Sequence, residues 1–150
     1  MHYVIGDVHG CYDEMMELLH KIEEKDEDAR ILFVGDFVDR GPQVDLVLDW
    51  CLKNITADGK YQSVRGNHEQ MILEWYEEWL QWWQEGGFRH PKKEPMPETY
   101  YDFSKWMDAK KLLSPEKLET YMNFIHNLPY HKALEIESVW GKKNIFRIVH

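Results

Sequence analysis

Three short apolar runs, Tyr3 to Ile5, Ile31 to Val34 and Tyr61 to Val64, recur through the first part of the chain, and each runs into a polar cluster containing glycine. A helical period follows each cluster, over about Tyr12 to Glu23, Gln43 to Lys53 and Glu69 to Trp83. Strand-length runs alternating with helical periods predict an α/β fold. In the second helix Val44, Val47, Leu48 and Cys51 fall at i, i+3, i+4 and i+7, giving one apolar face to lay on a sheet, and Pro42 suits the start. Trp75, Trp79, Trp82 and Trp83 share the spacing of the third helix and read as a packing face before a ligand surface.

The pattern breaks from Gln84 to Thr99, where Gly86, Gly87, Pro91, Pro95 and Pro97 mix with Arg89, His90, Lys92 and Lys93. A solvated connection is expected there, with a substrate lid as the alternative. Ser114 then caps a helix opening at Pro115, whose core face is Leu118, Tyr121, Met122, Ile125 and Leu128, and Pro129 ends it. Two further strands are expected, about Lys132 to Ile136 and Asn144 to Val149, before the last residue, His150.

A length of 150 residues fits one domain with a sizeable core. Lys and Arg number 18 against 27 Asp and Glu, a net charge of −9 that argues against nucleic acid or an anionic membrane as the main partner. A phosphate-bearing substrate therefore needs a local positive spot. No apolar run approaches the ~18 residues that span a bilayer, and the first residues lack the basic start of a signal peptide. Two cysteines without framework spacing, Cys11 and Cys51, point to a reducing cytoplasm. Cys51 needs no function, and Cys11 packs or is redox-sensitive at its helix start.

Three clusters carry the chemistry: Gly6-Asp7-Val8-His9-Gly10, Gly35-Asp36-Phe37-Val38-Asp39-Arg40-Gly41 and Arg65-Gly66-Asn67-His68-Glu69. Each follows an expected strand. Loops at the carboxyl ends of strands in an open α/β sheet gather in one crevice, so Asp7, His9, Asp36, Asn67 and His68 should converge. A single Gly-Asp pair is an ordinary turn, but three such clusters in series make a purely structural reading improbable. Carboxylate, amide and imidazole without thiolate suit Mn²⁺, with Fe or Zn²⁺ also accommodated. Two divalent ions are implied, with Asp36 as the bridge, and together they would bring +4 against the −2 of Asp7 and Asp36.

These motifs resemble the GDxHG, GDxVDRG and GNHE signatures of the PPP metallophosphoesterases, the serine/threonine protein phosphatase family of the calcineurin-like superfamily. The bacterial and phage members are most similar, through Arg65 to Met71 and the later Leu128-Pro129-Tyr130. Motif similarity covers about residues 3 to 71, and residues 84–127 read as a variable helical insert within a single 1–150 domain. The resemblance implies a metallophosphoesterase αββα sandwich, of which the first sheet and part of the second are represented. It implies that Asp7 and His9 hold the first metal, Asp36 bridges, and Asn67 and His150 hold the second. Arg40 would grip phosphate oxygens, with Arg65 a further substrate contact or the partner of a structural carboxylate. His68 resembles the general acid and Asp39 the carboxylate that orients it. By residue type alone, His68 could also be a metal ligand or a helix-start residue, and Asp39 a surface acid paired with Arg40. His2, His20, His90, His126 and His131 lack ligand spacing.

Family members continue past the position of His150 into a Gly-His motif and a second arginine, neither of which occurs here, so a C-terminally truncated chain with one uncovered sheet face is expected. The expected activity is a serine/threonine phosphatase cleaving phosphomonoesters of phosphoproteins or small molecules by attack of a metal-bridging hydroxide. The alternatives are a dinucleoside polyphosphate hydrolase of the ApaH type, and a noncatalytic metal-binding remnant.

Overall fold

A computed structural model describes residues 1–84, 114–137 and 140–150. The elements run β1 (His2–Ile5), α1 (Tyr12–Lys25), β2 (Arg30–Phe33), α2 (Val44–Asn54), β3 (Tyr61–Ser63), α3 (Asn67–Gln84), α4 (Pro115–Asn127), β4 (His131–Glu137) and β5 (Lys143–Val149). Strands β1, β2 and β3 form a parallel sheet in that order, and β4 and β5 form an antiparallel pair with His131 opposite Val149. The helical and strand periods thus appear where the apolar pattern places them, with no end shifted by more than two residues. The largest shift matters most: α3 begins at Asn67, so Asn67 and His68 belong to its first turn rather than to the preceding loop. Ser114 caps α4 as expected, accepting from the Lys117 N–H at 3.2 Å.

Two apolar clusters hold the sheet and helices together. Ile5, Ile31 and Phe33 of the sheet pack with Met15, Leu19 and Ile22 of α1 and with Val47 and Cys51 of α2. Val44 and Leu48 of α2 join Ile72 and Trp75 of α3 and Leu118, Tyr121 and Ile125 of α4 in the second cluster. The single apolar face expected of α2 is therefore shared between two cores. Trp75 is buried as the stripe predicts; the side chains of Trp79, Trp82 and Trp83, and the Gln84 to Thr99 connection beyond Gln84, lie outside the described residues. On the other face of the sheet, Leu32 is buried beside Leu134 of β4, whereas Val4 of β1 is 50% exposed.

Candidate metal centre

Parallel strands put their carboxyl ends on one edge. Asp7 lies just past β1, Asp36 just past β2, Asn67 opens α3 after β3, and His150 directly follows β5. Backbone bonds zip the first two loops together: the Asp36 carbonyl accepts from the N–H of Val8 at 3.0 Å and of His9 at 2.8 Å, and Gly41 N–H donates to His9 O at 2.8 Å. The third loop is attached through Glu69. Its fully buried carboxylate accepts from the N–H of Asp36 at 2.6 Å, Phe37 at 2.7 Å, Val38 at 3.2 Å and Gly66 at 3.0 Å. Burial pushes the Glu69 carboxyl above its ordinary range, opposed by the N–H groups of Phe37, Asp36 and Gly66. The Asp36 side chain answers by accepting the His68 N–H at 2.9 Å.

Four residues other than glycine hold left-handed backbone here: His9 (φ 45°), Asp36 (52°), Asp39 (68°) and Arg40 (68°). Such conformations cost on the order of 1 kcal/mol each and persist where surrounding bonds over-determine them, as the zipped loops and Glu69 do.

The side chains then aim lone pairs at a common centre. His9 Nδ1 lies 2.8 Å from Val38 O, and a carbonyl can only accept, so Nδ1 carries the proton and Nε2 presents its lone pair. That Nε2 is buried without a hydrogen-bond partner, 3.7 Å from Asp7 Oδ2 and 3.8 Å from Asp36 Oδ2. His150 repeats the device, with Nδ1 3.0 Å from Val34 O and Nε2 2.6 Å from Asn67 Oδ1 and 3.2 Å from Asp36 Oδ2. In the neutral tautomer those three atoms are all acceptors, an arrangement that a cation or an added proton must satisfy. Ligand atoms of Asp7, Asp36 and His150 lie within 4.8 Å of one another, as do those of His9, Asp36 and His68, so Asp36 belongs to both groups. An orphaned buried nitrogen and converging oxygen and imidazole donors fit a pair of borderline or hard divalent ions.

His68 packs edge-on to His9 at 4.8 Å between ring centroids, and its Nδ1 lies 2.6 Å from Asp39 Oδ2. Asp39 is 2% exposed, so it is no surface acid, and Arg40 beside it is exposed. Arg65 departs from its expected place among the substrate contacts. It is 8% exposed, with Nη1 bonded to Gln70 Oε1 at 3.0 Å and to Tyr130 Oη at 2.9 Å, and with Nη2 bonded to the His126 carbonyl. Its partners are an amide, a phenol and a carbonyl rather than a carboxylate, and they spend its donors on joining α3 to the α4–β4 connection. Cys51 is fully buried, and burial beside Glu69 pushes its thiol well above the usual range. Glu69 is the functional neighbour that motif reading leaves as a letter of a signature; a capping-box reading, Glu at the third helical position reaching back to the N–H before the helix, could have found it.

The chain is similar to known proteins. The family model for calcineurin-like phosphoesterases matches residues 3–147. A zinc-dependent endopolyphosphatase of Saccharomyces cerevisiae is 33% identical over 122 residues, 81% of this chain and 30% of that protein. A symmetrical bis(5′-nucleosyl)-tetraphosphatase of Neisseria gonorrhoeae is 38% identical over 72 residues, 48% of this chain and 25% of that one. An Escherichia coli protein of the same name is 42% identical over 73 residues, 47% of this chain and 24% of its own length. A crystal structure provisionally assigned as a diadenosine tetraphosphatase superposes with a TM-score of 0.51 at 19% identity, covering 87% of this chain and 43% of that one, which is a likeness of fold. The chain spans about a quarter to a third of the length of these curated relatives. None of the three is a serine/threonine protein phosphatase, so the broad expectation of a metallophosphoesterase holds while its narrower form does not follow.

Proposed function

Because the chain belongs to the calcineurin-like phosphoesterase family and has its fold, we propose that it is a metal-dependent hydrolase of phosphoric anhydrides, acting on dinucleoside polyphosphates or inorganic polyphosphate. The carrying observation is the convergence of lone-pair-bearing atoms from Asp7, His9, Asp36, Asn67 and His150, with His9 Nε2 buried and lacking a hydrogen-bond partner. The names of the relatives, polyphosphatase and tetraphosphatase, support an anhydride rather than a phosphoprotein as substrate. Divalent ions held there would polarise phosphoryl oxygens and supply an acidic bound water. Mn²⁺ and Zn²⁺ both suit the donors, and the zinc dependence named for the yeast relative brings Zn²⁺ level with Mn²⁺.

The chain's own residues divide the remaining work. Arg40, exposed beside the centre, would hold phosphate oxygens through its planar fork. Asp39 fixes the His68 ring by accepting a hydrogen bond from its Nδ1–H, and when Nε2 is protonated as well it can pass that proton to a departing oxygen. That pair also favours a second reading. An alkoxide leaving from a phosphomonoester needs protonation far more than a phosphate leaving from an anhydride, so a fixed His68–Asp39 pair suits phosphoserine or phosphothreonine hydrolysis as well.

Initial rates with Mn²⁺ or Zn²⁺ on diadenosine tetraphosphate, polyphosphate and a phosphoserine peptide, beside an Asp36→Asn control, separate the two. Anhydrides should be cleaved at least tenfold faster than the peptide, with all turnover lost in the control. A peptide preferred over both anhydrides would reverse the assignment. His68→Gln should then slow the peptide by the 10²–10⁴-fold typical of a general acid and the anhydrides much less.

A further inference from the structure

We propose that Tyr130 is a stacking platform for a nucleobase at the rim of the metal centre, so that a nucleoside polyphosphate rather than a base-free phosphate chain is the substrate; this rests on the phosphoanhydride reading above. The β4–β5 register carries the argument. His131 pairs with Val149 as the terminal pair of the ladder, so Tyr130 and His150 each adjoin that pair at the same end of the hairpin. His150 reaches Asn67, and Tyr130 reaches Arg65, two residues earlier in the chain. An aromatic ring therefore adjoins a residue of the metal centre without donating to it.

The ring is held but not covered. The Arg65 guanidinium lies over one face, 4.5 Å from the centroid, and the Tyr130 hydroxyl is tied to Arg65 Nη1 at 2.9 Å and to Gln70 Oε1 at 3.4 Å. Even so, Tyr130 is 64% exposed. Bonds at its tip and a cation behind it have already removed its rotamer freedom, so a planar ligand on the open face loses little further entropy to ordering. A polyphosphate chain has no use for such a face, whereas every base has one, and a base–aromatic stack is sequence-tolerant. Arg65, buried under the platform with Nη1 and Nη2 both bonded, supports the ring instead of touching phosphate.

The test is calorimetric binding of ADP and of methyl diphosphate, which carries the same diphosphate without base or sugar, to the metal-loaded chain. Wild-type protein should bind ADP about tenfold more tightly, the scale of one base stack. Tyr130→Leu should erase that preference while leaving methyl diphosphate affinity unchanged, and Tyr130→Phe and Tyr130→Trp should keep it. No preference in the wild type, a preference that survives Tyr130→Leu, equal weakening of both ligands, or a Tyr130→Phe variant as impaired as Tyr130→Leu would each overturn the platform. Turnover is read separately: a base preference in binding with no cleavage of diadenosine tetraphosphate or polyphosphate would leave the platform standing and remove the anhydride reading.

Discussion

At the scale of single residues, the centre depends on side chains that never meet substrate. Asp36, a candidate ligand, is held with left-handed backbone that must be pinned, and Glu69 pins it by collecting four N–H groups from two loops. Glu69→Gln turns one acceptor into a donor facing donors, which should cost about 2–5 kcal/mol of stability, read as a lower urea midpoint. Gly66 is as exacting for a steric reason. A Cβ there would sit 2.1 Å from Asp36 Oδ1 and 2.7 Å from Glu69 Oε2, so no side chain fits without moving the Asp36 carboxylate. Gly66→Ala should therefore abolish tight Mn²⁺ or Zn²⁺ uptake in a calorimetric titration while far-ultraviolet dichroism stays near that of the wild type. Retained metal affinity would show that Asp36 can shift without losing its role.

Among elements, the sheet edge is fastened to its helices by polar bonds as well as by the two cores. The Tyr61 hydroxyl at the start of β3 donates to Glu23 of α1, which also pairs with Lys60 at 2.7 Å. Burial, reinforced by the Glu23 carboxylate, pushes the Tyr61 phenol up to about 12. A folded-state value above the unfolded one of 10.0 means that the stabilisation is fully present below about pH 10 and is lost as pH rises through about 12. The stability gap between wild type and Tyr61→Phe should thus be level through neutral pH and close across that alkaline window in denaturant titrations. A gap that widened there would show that the hydroxyl is not the donor. Between helices, Asp49 of α2 accepts from Tyr121 at 2.7 Å and Lys117 at 3.1 Å of α4. Burial raises the Asp49 carboxyl, but these bonds outweigh it and hold it below its ordinary value.

For the whole molecule, donors drawn from the ends of β1, β2 and β5 and the start of α3 come together only in the folded chain. Metal binding must then stabilise the fold: free Zn²⁺ or Mn²⁺ at one hundred times its dissociation constant should add about 2.7 kcal/mol, visible as a raised melting temperature that a chelator reverses. A melting temperature indifferent to both would mean that the donors do not close on an ion. Much of this was legible in the chain itself. Apolar periods of two kinds place β1 to β3 and their helices, and the rule that parallel strands gather their carboxyl ends is enough to bring Asp7, Asp36 and Asn67 together, because it needs only element order. Residue type alone could not separate a surface Asp39 from one buried against His68, nor a phosphate-binding Arg65 from one spent on Gln70, Tyr130 and a carbonyl. Those choices depend on which long-range neighbour comes within hydrogen-bond distance, a matter of how loops are pinned and how the β4–β5 hairpin is registered. Local pattern therefore determined the elements and the edge on which the candidate donors collect, whereas packing between distant segments decided which side chains converge there, which brace them and which ring is left exposed.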